Sequence, residues 1–250
     1  MRLALVQRHS VKADIDRNLA SMLAFVERAS AAGAEVVCFP EMSLTGYIDP
    51  LTRADSLITW DDDRLSPLLH ASAHLHMTLV VGIAERREGG MPFIAQGVIR
   101  DGALAGVYRK INVASDEIDR FSCGSEPLVF SQGTTTLGIG ICADVDDSSL
   151  FEDYAARGAN LVLLLAAPGL DGPQATRDWE QGYVWWRDKL RDQLGAYARG
   201  FGLHIAVATQ AGRTINEDFP GGGYVFDAEG TLVASTDDGA EGVLIVDVAL

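Results

Sequence analysis

Apolar positions along this chain fall into two regimes. In the first they recur at helical spacing. Ile15, Leu19, Met22, Leu23, Val26 and Ala29 form one face that closes at Gly33, and Leu65, Leu68, Leu69 and Ala73 mark a second helix. Residues 179–200 read as mostly helical. In the second regime the apolar runs are continuous: the stretch from Leu3 to Val6, Val36 to Phe39, Thr78 to Ala84, Thr135 to Cys142 and Leu161 to Ala167, with His204 to Gln210 after them. Further strands are expected at Ala95 to Arg100 and Leu104 to Lys110 around the turn Asp101-Gly102. Others are expected at Tyr224 to Asp227, Leu232 to Ser235 and Val243 to Val248. A helix separates the strands ending at Cys142 and beginning at Leu161. Strands that are apolar on both faces need cover on both, so the pattern predicts an α/β or α+β layered fold, with sheets covered by helices. No low-complexity linker or short-period repeat interrupts the chain, and one domain over residues 1–250 is the economical organisation.

Composition narrows the function more than the fold. At 250 residues with 48% hydrophobic content, the chain can bury a large core. No apolar run approaches the ~18–20 residues of a membrane span, and the N-terminal run is too short for a signal peptide. A net charge of −15 argues against nucleic acid and against an anionic membrane surface as partners. Cys38, Cys123 and Cys142 cannot all pair within the chain and show no zinc spacing, which fits a reducing cytoplasm. His70 and His74 lie four apart on a helix, but no third ligand is evident. There is no P-loop motif.

Three strand ends carry reactive groups. Cys142 closes the run Leu137-Gly138-Ile139-Gly140-Ile141, where a strand exit exposes a side chain and frees neighbouring N–H groups. Taken alone it reads as a buried structural cysteine. Glu41 follows Phe39-Pro40, and Lys110 follows Tyr108-Arg109. Either residue alone reads as a solvated cap of a sheet.

In the order Glu41, Lys110, Cys142, these segments resemble the nitrilase, or carbon–nitrogen hydrolase, superfamily, with its "PE", "YRK" and "GxxIC" motifs. The resemblance extends over nearly the whole chain. It includes Asp116-Glu117 with Phe121 and Gly124, Gly158-Ala159-Asn160-Leu161, Ala198-Arg199 to Ala208, and Gly222 to Gly230. It implies two stacked sheets between helix pairs, an αββα four-layer sandwich. It also implies Cys142 as nucleophile, Glu41 as general base with its pKa raised by burial beside a second carboxylate, Lys110 as the stabiliser of developing negative charge, and Glu117 as the second glutamate. The substrate would be a small amide or a nitrile, with glutaminase-type ammonia supply to a separate synthetase or a non-catalytic scaffold as alternatives. Self-association as a homodimer or larger homo-oligomer is also implied.

The chain departs from the family after the nucleophile. Residues 143–149 lack the "RFPE" element and its carboxylate-gripping arginine. The expected rim is built from Tyr47, Ala143 (whose N–H would face the developing oxyanion), Asp144, Asp146 and Trp179. Asp146 or Asp147 would hold a cationic substrate or cap a helix. The tryptophans of residues 179–186 would line a pocket or pack on a second subunit.

Overall fold

The structure, a computed structural model, describes all 250 residues. Its elements run β1 (Arg2–Gln7), α1 (Ile15–Ala31), β2 (Val36–Cys38), α2 (Ser66–Leu75), β3 (Thr78–Glu85), β4 (Phe93–Arg100), β5 (Ala103–Arg109), β6 (Val129–Gln132), β7 (Thr135–Ile141) and α3 (Ser148–Ala156). They continue through β8 (Leu161–Ala166), α4 (Trp179–Phe201), β9 (His204–Thr209), β10 (Ala211–Arg213), β11 (Asp218–Pro220), β12 (Gly223–Phe226), β13 (Leu232–Ser235) and β14 (Gly242–Asp247). The elements form two six-stranded sheets, ordered β14-β1-β2-β3-β4-β5 and β13-β12-β9-β8-β7-β6, and β10 pairs with β11. The middle strands of each sheet are parallel, β1-β2-β3 and β7-β8-β9, and the flanking pairs are antiparallel.

Side-chain alternation explains the continuous apolar runs. In β8, Leu161, Leu163 and Leu165 enter a central cluster, while Val162, Leu164 and Ala166 enter another. In β1, Leu3 and Leu5 join the same central cluster, and Ala4 and Val6 face Met22, Phe25 and Val26 of α1. The central cluster contains residues of both sheets, so the sheets stack on it. The other two clusters lie under α1 and α2 on one outer face and under α3 and α4 on the other. This is the αββα layering, and every inner strand is buried twice.

The boundaries differ from expectation in small ways. Phe39 and Cys142 lie just outside their strands. Three short strands carry no clean alternation and went unpredicted: β6, β10 and β11. The tryptophan-rich segment is the start of α4. Trp186 is core, its indole N–H donating to Thr209 Oγ1 at 3.0 Å.

Candidate active site

Strand ends of both sheets meet at one point. Glu41 follows β2 and Lys110 follows β5 in the first sheet, and Cys142 follows β7 in the second. The turn bearing Glu41 leans on Gly82 of β3. Leu44 donates to the Gly82 carbonyl at 2.9 Å, and the Gly82 N–H donates to Ser43 Oγ at 3.0 Å. Arg8, fully buried, donates to the Ser43 carbonyl at 2.7 Å and to Asn18 at 3.2 Å. Its burial lowers its pKa to about 10, so the guanidinium stays charged and braces the turn. Met42 and Cys142 are non-glycine residues in the left-handed region, with φ of 46° and 42°. Such backbone is strained and tends to occur where the surroundings over-determine it.

Lys110 is the hub. Its Nζ donates to Glu41 Oε1 at 2.8 Å and to Glu117 Oε2 at 2.7 Å, with all three side chains buried. Glu41 Oε2 accepts from the Ala167 N–H at 3.0 Å, a contact that crosses from the first sheet to the end of β8 in the second. Glu117 also accepts from the Ala114 N–H at 3.0 Å and from the Tyr47 hydroxyl.

The charge states follow from this packing. Burial pushes Glu41 up to about 7; Lys110 pulls the other way, and Glu117 adds to the rise. Burial also acts on Glu117, but Lys110 outweighs it and holds that carboxyl below its ordinary value. Burial works against the Lys110 ammonium, yet Glu41, Cys142 and Glu117 keep it above the ordinary lysine value. Burial, then Glu41, pushes the Cys142 thiol well up. Glu41 is therefore the carboxylate poised near neutrality, next to a protonated thiol and a permanently charged ammonium.

A cavity of about 470 Å³ opens over these groups, lined by Cys142, Lys110, Glu117 and Tyr47, by Ala114, Ser115 and Asp116, by Ala167 to Asp171, and by Glu217. Glu217 pairs with Lys12, whose ammonium lies 5.8 Å from the Tyr47 ring centroid. A neighbouring groove of about 520 Å³, lined by Arg177 and Trp185, shares Leu170 and Asp171 but contains none of the four reactive groups.

Of the expected rim residues, only Tyr47 is on this cavity wall. Asp144 is fully buried and bonded to Tyr108, Asn112 and the Ile141 N–H, out of reach of a substrate. Asp146 pairs with Lys189 and Gln193 of α4 at 2.9 and 2.7 Å. Asp147 caps α3, accepting from the Ser149 N–H at 3.0 Å. Trp179 lies with its ring 5.8 Å from the Arg213 guanidinium, in a depression with Tyr183 and Glu241. Ala143, half-buried, adjoins Cys142 but is not part of the cavity wall. Sequence reasoning missed the wall formed by Ala167 to Asp171 and Glu217. The available signal was that residue 167 follows a buried strand, as Cys142 does.

Two stacked sheets between helix pairs, with a glutamate, a lysine and a cysteine at their strand ends, define a class of hydrolase fold. The carbon-nitrogen hydrolase family model matches residues 2–250, and the chain belongs to that family. Among solved structures it is similar to an amidase of the nitrilase superfamily from Nesterenkonia, with a TM-score of 0.83 and 25% identity over 99% of this chain and 90% of that one. A glutamate-to-glutamine mutant of that amidase has also been solved with the acetamide moiety of fluoroacetamide covalently added at its active-site cysteine. A probable nitrilase from Schizosaccharomyces pombe is 25% identical over 99% of this chain and 88% of its own length. A glutamine-dependent NAD(+) synthetase from Thermotoga maritima is 26% identical over all of this chain, which spans 42% of that relative's length.

Proposed function

We propose that the protein hydrolyses the C–N bond of a small, non-peptide amide, releasing ammonia and a carboxylic acid. The observation that carries this reading is the buried Lys110 ammonium held between Glu41 and Glu117 beside Cys142, on the wall of an open cavity. In the proposed reaction, ionised Glu41 takes the Cys142 proton and the thiolate attacks the amide carbon. The oxyanion that forms meets the Lys110 ammonium and the Ala143 N–H. Collapse of the tetrahedral intermediate expels ammonia, protonated by Glu41, and leaves a thioester on Cys142. Glu41 then deprotonates a water, which attacks the thioester carbon, and the acid leaves as the thiol is restored.

The wall charges support a substrate class. Asp116, Asp171 and Glu217 line the cavity, and its one lysine is already bonded to two carboxylates. The wall carries more carboxylates than cations, which favours an acyl group that is neutral or carries an amine. Glutaminase-type ammonia supply is the second reading, favoured by the whole-chain match to the synthetase relative.

The test is ammonia release from four sets of compounds: neutral aliphatic amides, amine-terminated amides, ω-amides of dicarboxylates together with glutamine, and the corresponding nitriles. Intact-mass detection of an adduct on Cys142 would run alongside. Turnover of the first two sets, abolished in Cys142→Ala, is the expected result. Preference for glutamine would move the second reading forward, and silence across all four sets, with no adduct, would end the hydrolase reading.

A further inference from the structure

We propose that Asp144 is a positioning residue that fixes the nucleophile turn against the lysine segment. The kinetic part of this inference rests on the amidase reading above; the labelling part does not. The Asp144 carboxylate is fully buried and accepts four hydrogen bonds. Oδ2 accepts from the Ile141 N–H and the Tyr108 hydroxyl, both at 2.7 Å. Oδ1 accepts from the Asn112 N–H at 2.9 Å and from Asn112 Nδ2 at 3.1 Å.

The donors come from both sheets. Ile141 immediately precedes Cys142, while Tyr108 and Asn112 lie two residues before and two after Lys110. One carboxylate therefore ties the flank of the thiol to both flanks of the ammonium. Asn112 Nδ2 also donates to Asp147 Oδ2 at 3.0 Å, which joins the start of α3 to the same point. Three of the four donors are N–H groups that cannot accept, so the carboxyl must offer acceptor lone pairs to them in either charge state, and burial raises its pKa above the ordinary value.

The need for such a brace lies in the backbone. Cys142 holds a left-handed φ of 42° that its own Cβ disfavours. A turn of this kind keeps its geometry only while its surroundings enforce it. A displacement of the thiol by about 1 Å relative to Lys110 and Glu41 is enough to cost about 100-fold in rate.

Two variants test the proposal. Asp144→Asn keeps the volume, but its amide must turn an NH2 toward one of the two donor pairs. Tyr108→Phe removes a single O–H donor. Iodoacetamide labelling of Cys142 would be followed against pH by peptide mass spectrometry, with exposed Cys123 as internal reference. Asp144→Asn is expected to slow Cys142 labelling at least about tenfold and move its pH midpoint upward, with Cys123 unchanged. Tyr108→Phe should slow labelling about threefold, a smaller fraction of the same misplacement. On an amide that the wild type hydrolyses, Asp144→Asn should lower kcat about 100-fold and leave KM within about threefold.

Wild-type labelling rates and midpoints in both folded variants would overturn the brace, as would a raised KM with unchanged kcat, the mark of substrate contact. If Asp144→Asn does not melt cooperatively, Tyr108→Phe decides alone. If the wild type hydrolyses nothing, the amidase reading fails while the labelling comparison still judges the brace.

Discussion

At the scale of single residues, the site depends on three buried charges whose balance sets its pH behaviour. In the proposed reaction Glu41 takes the Cys142 proton only when ionised, and burial raises its pKa to about 7. In the proposed mechanism kcat/KM therefore rises with pH through about 7, and a flat profile from about pH 5 to pH 8 would remove Glu41 from the role of base. Glu41→Gln should lose that limb together with roughly a hundredfold to ten-thousandfold of rate. Lys110→Met makes a different kind of test. It leaves Glu41 and Glu117 buried without their cation, at a cost of about 3–5 kcal/mol near pH 8. Both carboxyls would then titrate above their unfolded values. The folded state would bind more protons than the unfolded one, so stability should recover as pH falls toward the unfolded carboxyl pKa. Urea unfolding of this variant at about pH 8 and about pH 5 would check the sign, and a loss that is equal at both would show that the charges are not the cause. Glu41, Lys110 and Cys142 were legible because each sits at the end of an apolar run in an ordered motif. Asp144 was misread because spacing cannot say which way a side chain turns once the strand has ended. Two residues beyond Cys142, the tight turn directs that carboxylate back onto the Ile141 N–H.

At the scale of elements, the long parallel strands announced themselves because burial on both faces leaves nothing polar in them. β6, β10 and β11 did not: each is a hairpin partner of only three or four residues that mix polar with apolar positions, too few to set a period. The element that matters most for the chemistry is the turn after β2, which rests on β3 where Gly82 has no side chain. A Cβ at Gly82 would lie 2.6 Å from the Met42 nitrogen and 2.7 Å from the Pro40 carbonyl oxygen, both backbone atoms flanking Glu41. Backbone cannot rotate aside as a side chain can, so Gly82→Ala must push the turn away from the sheet. We expect a loss of about 1–3 kcal/mol in urea unfolding, typical of overpacking, and a fall in kcat larger than Gly→Ala produces at Gly133, where nothing lies within 4 Å. Gly133 has a φ of 59° and so carries its own backbone strain, which makes it a control for conformation without contact. Equal kcat in the two variants would show that the turn tolerates displacement.

At the scale of the whole molecule, the reactive groups belong to different sheets, and no single layer contains the site. Glu41 and Lys110 come from the first sheet, Cys142 and the Ala167 N–H from the second, and the central apolar cluster fills the space between the two sheets. Packing in that layer should therefore govern catalysis, while packing of equal strength under the helices should govern stability only. Leu163 and Leu194 allow the comparison. Both are fully buried leucines, the first between the sheets on β8, the second on α4, packed against the outer face of the second sheet. Truncation to alanine should cost about 2–5 kcal/mol at either position through lost transfer energy and the residual cavity. Only Leu163→Ala lets the two sheets close on a void, which shifts Cys142 against Glu41 and Lys110. With kcat measured well below both melting temperatures, Leu163→Ala should fall at least about tenfold and Leu194→Ala should stay within about threefold of the wild type. Matching losses in the two variants would mean that the sheets hold their spacing without this layer, and that hydrogen bonds across the site, such as Ala167 to Glu41, set the geometry instead.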